Sequence, residues 1–150
     1  MQSMMKALHN TLRTELLKQT NQDYVKLKLG AYERLSLLLE RTSLPALIQK
    51  LSNPNMSASE FKLLMLHSIN EEFNYNLSQQ VYVSQQTWAT IKIVKEQTIV
   101  IIQRVEQKLP EGASSVEFSK ELIEALKSLG EIPHEKGLQM IRGEIELLFN

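Results

Sequence analysis

Cysteine is absent from the 150 residues, and aspartate occurs once, at Asp23. Without a thiol the chain has no disulfide, no thiolate metal site, no cysteine nucleophile and no palmitoyl or prenyl attachment point. A reducing, cytoplasmic compartment is therefore expected. A single aspartate leaves the magnesium sites of phosphoryl-transfer enzymes almost without ligands. The five glycines stand no closer than Gly137 and Gly143, which excludes the phosphate-binding P-loop and the dinucleotide fingerprint. No Gly-x-Ser-x-Gly elbow is present either. Seventeen basic residues balance seventeen acidic ones, so the chain lacks the positive excess of a general nucleic-acid or anionic-surface binder. Its most apolar run, Ile99-Val100-Ile101-Ile102, is far short of the ~20 residues that span a bilayer. The opening residues, Met1 to Asn10, carry no apolar core of a signal peptide. These absences predict a non-enzymatic chain with no cofactor and no membrane span.

What remains is helical periodicity. Leu8, Leu12, Leu16, Tyr24, Leu27, Ala31, Leu35 and Leu38 form one stripe on a helical cylinder. The stripe belongs either to one long helix or to two, 3–20 and 23–41, parted at the polar stretch Lys18 to Asp23. Gly30, inside this pattern, is expected to mark a close helix contact. Ser43 with Pro45 starts a short helix to about Leu51. Ser57 with Glu60, and Ser114 with Glu117, have capping-box spacing. Ser84 caps a long helix carrying Trp88, Ile91, Val94, Ile101 and Val105, which Pro110-Glu111-Gly112 ends. Gly130 fits a left-handed helix stop, and Pro133 opens the last helix. The fold class expected is all-α: one domain over residues 1–150, a bundle of about six helices. Basic residues concentrate in 1–50 and acidic ones in 111–150, which favours packing the first helix against the last, in cis or between subunits.

Two features depart from an ordinary solvated bundle. Phe73 to Ile91 is nineteen residues without a charge, interleaving amides, hydroxyls and aromatics that suit a buried corner or an interface. Tyr75, Gln79, Tyr82 and Trp88 are its candidate contact residues. The second feature is Ile99 to Ile102, four apolar residues that cover a full helical turn and require surrounding. Ile99 and Ile102 are thus candidates for burial against a second chain, and a homodimer is expected. Arg34 and Arg41 share one helix face and can pair with Glu33, Glu40, Glu71 or Glu72. Metal chemistry finds little material. Glu131 and His134 alone have the Glu-x-x-His spacing of di-iron bundles, and His67 with Glu71, one turn apart, is a weak metal-binding pair with His9 as a remote third ligand. Phe118 to Leu129 followed by Pro133 imitates helix–turn–helix spacing. Its second helix, however, offers Glu135, Glu144 and Glu146 where a recognition helix needs basic groups.

Ala31-Tyr32-Glu33-Arg34-Leu35, continuing through Leu38-Leu39-Glu40-Arg41 to Leu47-Ile48, resembles the opening of a family of uncharacterised bacterial helical proteins. Glu72 to Ser84, with Trp88 and Lys95-Glu96, resembles that family's central motif. The resemblance implies an all-α fold and no known activity. It also implies that relatives carry a membrane-spanning segment ahead of the Tyr-Glu-Arg block, where this chain has the polar amphipathic stretch Met4 to Thr20. The function expected is a helical interaction or scaffold protein that self-associates, with an unidentified protein partner also open. The alternative is a bundle that holds a small ligand or metal between its central helices, near Tyr75, Tyr82, Trp88 and His67.

Overall fold

The computed structural model describes residues Met1–Asn150. Six α-helices follow one another: α1 (Gln2–Arg41), α2 (Leu44–Leu51), α3 (Ala58–Tyr75), α4 (Gln85–Gln107), α5 (Ser115–Lys127) and α6 (Pro133–Phe149). A 3-10 helix, Leu77–Tyr82, joins α3 to α4. No β-strand is formed, and the chain is an all-α single domain. No helix is long and apolar enough to cross a membrane.

The helix starts lie where serine side chains satisfy the free N–H groups of a first turn. Ser57 Oγ accepts from the Glu60 N–H at 3.1 Å, Ser84 Oγ from Thr87 at 3.1 Å and Ser114 Oγ from Glu117 at 3.2 Å. Ser43 does the same for Ala46 at 3.4 Å. Two of these caps are joined to each other. The Ala58 N–H donates to the Ala113 carbonyl, and the Ser115 N–H to the Met56 carbonyl, both at 2.9 Å. The starts of α3 and α5 are thereby tied through a short antiparallel bridge between Ser57 and Ser114. Directly behind it, Phe61 and Phe118 meet edge to face with ring centroids 5.7 Å apart. Gly112, at φ +80°, provides the left-handed residue that the turn into this bridge requires. Gly130, expected to be left-handed, is not; α5 ends instead through Ser128, whose N–H bonds to the Glu124 carbonyl.

One hydrophobic core takes Leu35, Leu38 and Leu39 from α1, Leu47 from α2, Phe61, Met65 and Ile69 from α3, Ile91, Val94 and Ile102 from α4, Phe118 and Leu122 from α5, and Ile141 from α6. Helix α4 is its centre, packed on α3, α5 and α6. Helix α1 rests on α6 and on the 3-10 helix, so the first and last helices do pack in cis. Their close approach occurs at Gly137, which is buried against Leu39. At Gly30 an added Cβ would meet nothing within 4 Å; that position is open, contrary to the expectation of a close contact.

Helix α1 is continuous, and the polar stretch at Lys18 to Asp23 does not break it. No glycine or proline occurs between Gln2 and Leu29, and Thr11, Thr14 and Thr20 return their hydroxyls to carbonyls one turn back. A polar sequence leaves helical propensity intact where no packing is demanded. Residues 1–24 are all exposed. At 1.5 Å per residue this is an arm of about 36 Å standing clear of the body.

Candidate interaction site

The charge-free stretch folds as the end of α3, the 3-10 helix and the first turns of α4. Its candidate residues do not share one surface. Tyr75 is 76% exposed, with the Arg34 guanidinium over its ring at 5.5 Å. Gln79 is half-buried. Tyr82 is half-buried too, and its carbonyl accepts from Lys28 Nζ at 3.0 Å. Trp88 is in the core, tilted against Phe73 with centroids 6.4 Å apart. Along α4, Ile102 is fully buried, Ile99 half-buried and Val100 exposed, so the body of the molecule encloses only part of that apolar turn. Trp88 and Ile102 therefore offer no surface to a partner.

His67 and Glu71 are both exposed, one turn apart on α3, with Nε2 and Oε1 at 3.7 Å. His9, considered as a remote third ligand, is on the α1 arm. The recess beside Tyr75, about 160 Å³, is lined by Arg34, Leu37, Arg41, Glu72 and Asn76 and includes none of Tyr82, Trp88 or His67. Arg41 closes one side by donating from Nε to Glu72 Oε1 at 2.7 Å. Of the pairings open to the two arginines, Arg41 takes Glu72, whereas Arg34 takes the Tyr75 ring.

A buried polar junction fixes the corner. Glu144 of α6 accepts the Ser84 N–H at 2.9 Å and the Thr87 hydroxyl at 2.8 Å, both through Oε1. Its Oε2 and the Tyr32 hydroxyl are buried without another partner, and they face each other. Burial alone would raise the Glu144 pKa. The bonds from Ser84, Tyr32 and Thr87 favour the carboxylate more strongly and hold it below the usual range. Burial, and then the adjacent Glu144, push the Tyr32 phenol upward. Counting Glu144 only among the acids that speak against a recognition helix missed this role, because its partners are far away in sequence.

Two apolar surfaces remain uncovered. The α1 arm presents Met1, Met4, Met5, Leu8, Leu12 and Leu16, each more than 60% exposed. At 100° per residue these six fall on one face of the helix. The second surface is a groove of about 690 Å³ along the outer face of α4. Ile93, Val100 and Ile101 form its floor, Leu129 and Pro133 one wall, and Lys92, Glu96, Arg104 and Glu131 its charged rim. The arm's stripe was visible in the sequence, but its solvent exposure was not; the groove had no signal, because the 128–133 connection supplies a wall.

The sequence model of a family of unknown function, DUF7935, matches residues 1–148. The chain belongs to this family. That agrees with the resemblance drawn from the Tyr32-Glu33-Arg34 and Glu72 to Ser84 blocks. No curated protein and no solved structure matches the chain.

Proposed function

We propose that this DUF7935 protein is a non-enzymatic helical interaction protein that self-associates through the exposed arm of α1. The observation that carries the reading is the row Met1, Met5, Leu8, Leu12 and Leu16, held in water on the part of α1 that nothing in the chain covers. Isolated apolar side chains are ordinary on a surface, whereas a continuous row on a projecting helix marks a contact site. A helical arm that buries none of its faces also gains little stability beyond propensity, and a partner helix or groove supplies the missing burial. Homo-oligomerisation is the first expectation, and docking on a different protein is the remaining form of the same reading.

Sedimentation equilibrium of the full chain, with native and denaturing mass spectrometry, tests this proposal. The expected result is a mass at a whole multiple of 17.3 kDa that falls to one subunit in a Leu8→Glu/Leu12→Glu variant. A strict monomer at tens of micromolar would reject self-association. A non-covalent small-molecule adduct lost on denaturation would replace this reading with the ligand-binding one.

A further inference from the structure

We propose that the 3-10 helix Leu77–Tyr82 is a releasable strap across α1, hinged at Asn76 and Val83 and latched by the Lys28 ammonium. In the latched state Lys28 Nζ donates to the Tyr82 carbonyl at 3.0 Å. Release lifts the strap as a unit while the helical body stays folded, and it bares the part of α1 that the strap covers.

Little except the latch holds this segment down. None of its residues is buried, and its apolar side chains Leu77 and Val81 are 45% and 69% exposed. It packs only on α1 and α3. A 3-10 run of this length is uncommon, because its hydrogen bonds are poorer in geometry than those of an α-helix. Segments with few buried apolar contacts open at free energies well below that of global unfolding. Its surroundings, by contrast, are fixed. Phe73 and Trp88 on either side are in the core, and the buried Asn76 donates from Nδ2 to the Glu72 carbonyl at 2.9 Å. Motion is thus confined to what lies between the two non-helical positions, Asn76 and Val83.

Charge reaches the strap from outside. Phe73 to Ile91 has none of its own. Lys28 of α1 meets the last carbonyl of the 3-10 helix, where a cation is favoured by the aligned peptide dipoles. Glu144 of α6 accepts the Ser84 N–H at the start of α4, where an anion is favoured. Opposite charges therefore bracket the joint from Tyr82 to Ser84. Glu144 secures the far side of the hinge, and Lys28 alone bonds to the strap from another helix. The ammonium is held in place by aromatic faces, 5.3 Å from the Tyr24 ring centroid and 6.0 Å from that of Tyr32. Lys28 also stands one turn beyond the exposed residues 1–24, at the root of the arm. A change in how α1 stands there, or loss of the lysine's charge, acts on the strap directly.

Native-state hydrogen exchange on the full chain, in urea below the unfolding transition, tests this proposal. Amides 79–82 should exchange faster than those of Ile69 and Ile91, which are fully buried. Their opening should respond weakly to urea, because it exposes little surface. Lys28→Met keeps the aliphatic stem and removes the donor. It should speed amides 79–82 about tenfold and leave those of Ile69 and Ile91 unchanged. Lys26→Met, at an exposed position two residues away, should change neither set.

Strap amides that exchange only with global unfolding overturn the proposal. So does a Lys28→Met variant that leaves the strap rate unchanged, or one that speeds strap and core alike. Equal acceleration by Lys26→Met overturns the latch too, since loss of any nearby charge would then suffice.

Discussion

Leu39 Cδ1 of α1 lies 2.8 Å from the point where a Cβ on Gly137 of α6 would stand. No real Cβ tolerates that distance, so the leucine occupies the space the missing side chain leaves. The approach sets how deeply α1 sinks into the body. It also determines whether Tyr32, two turns earlier, reaches Glu144, two turns later on the antiparallel helix.

Replacing Gly137 by valine should therefore cost about 1–3 kcal/mol, the usual penalty for overpacking a filled site. Leu39 is fully buried and has no room to retreat. Gly30→Ala is the control, since its Cβ meets nothing. It should stabilise the protein by about 0.5–1 kcal/mol through helix propensity alone. Urea unfolding of the two variants, read against wild type, checks both signs.

Glu144 should confer an acid-sensitive contribution to stability. Its carboxyl titrates lower when folded than its ordinary value of 4.5. The contribution is full above that ordinary value and is lost as pH falls through the lower folded pKa. Glu144→Gln should flatten the stability profile on that acid side and cost about 1 kcal/mol at neutral pH, through weaker acceptance from Ser84 and Thr87. Tyr32 behaves in the opposite sense. Its phenol is raised above 10.0 when folded, so its contribution is full below pH 10.0 and is lost as pH rises beyond. Tyr32→Phe should remove that alkaline limb. Melting temperature followed across pH for the three proteins would show whether the limbs separate this way.

The bridge between the caps of α3 and α5 makes a prediction about coupling. Ser57→Ala and Ser114→Ala should each cost about 1 kcal/mol. The double variant should depart from additivity by about 0.5 kcal/mol or more, because the two caps share backbone bonds. Phe118→Ala, behind the bridge, should cost about 3–5 kcal/mol. A double-mutant cycle in denaturant measures the first effect, and additive caps would show that α3 and α5 start independently.

Hydrogen exchange should divide α1 in two. Leu35, Leu38 and Leu39 lie in the core, and their amides should be protected to near the global unfolding free energy. Those from Leu8 to Leu16 should exchange fast at submicromolar concentration and slow down as protein concentration rises. Arm amides with the same rate at every concentration would contradict the proposed self-association.

Much of this architecture was legible because it is local. The cap serines, Pro45, Pro110 and Pro133 fix helix ends through chemistry confined to a few residues, and each helix's buried stripe repeats at helical spacing. The missed features are those decided elsewhere. Lys18 to Asp23 left one helix or two open, because polarity alone does not separate a turn from an exposed helix, and a solvent-exposed helix makes no demand on hydrophobicity. Gly30 and Gly137 are indistinguishable in a helical pattern, and only the position of Leu39 separates them. Trp88 looked like a contact residue because its neighbours are amides, but it faces Phe73. Glu144 and Ser84, sixty residues apart in hydrogen-bonded contact, carry no sequence signal of their meeting.

The unbroken course of α1 also has a mechanical consequence. A helix transmits torque along its axis, and here the exposed arm and the end wedged among Leu35, Leu38 and Leu39 belong to the same rod. Whatever seizes the tip at Met1 to Leu16 bends that rod about its fulcrum near Lys28, where the side chain clasps the Tyr82 carbonyl. The load then falls on Tyr32 and on the carboxylate it faces, so an event some tens of ångströms away is felt inside the corner that orients α4.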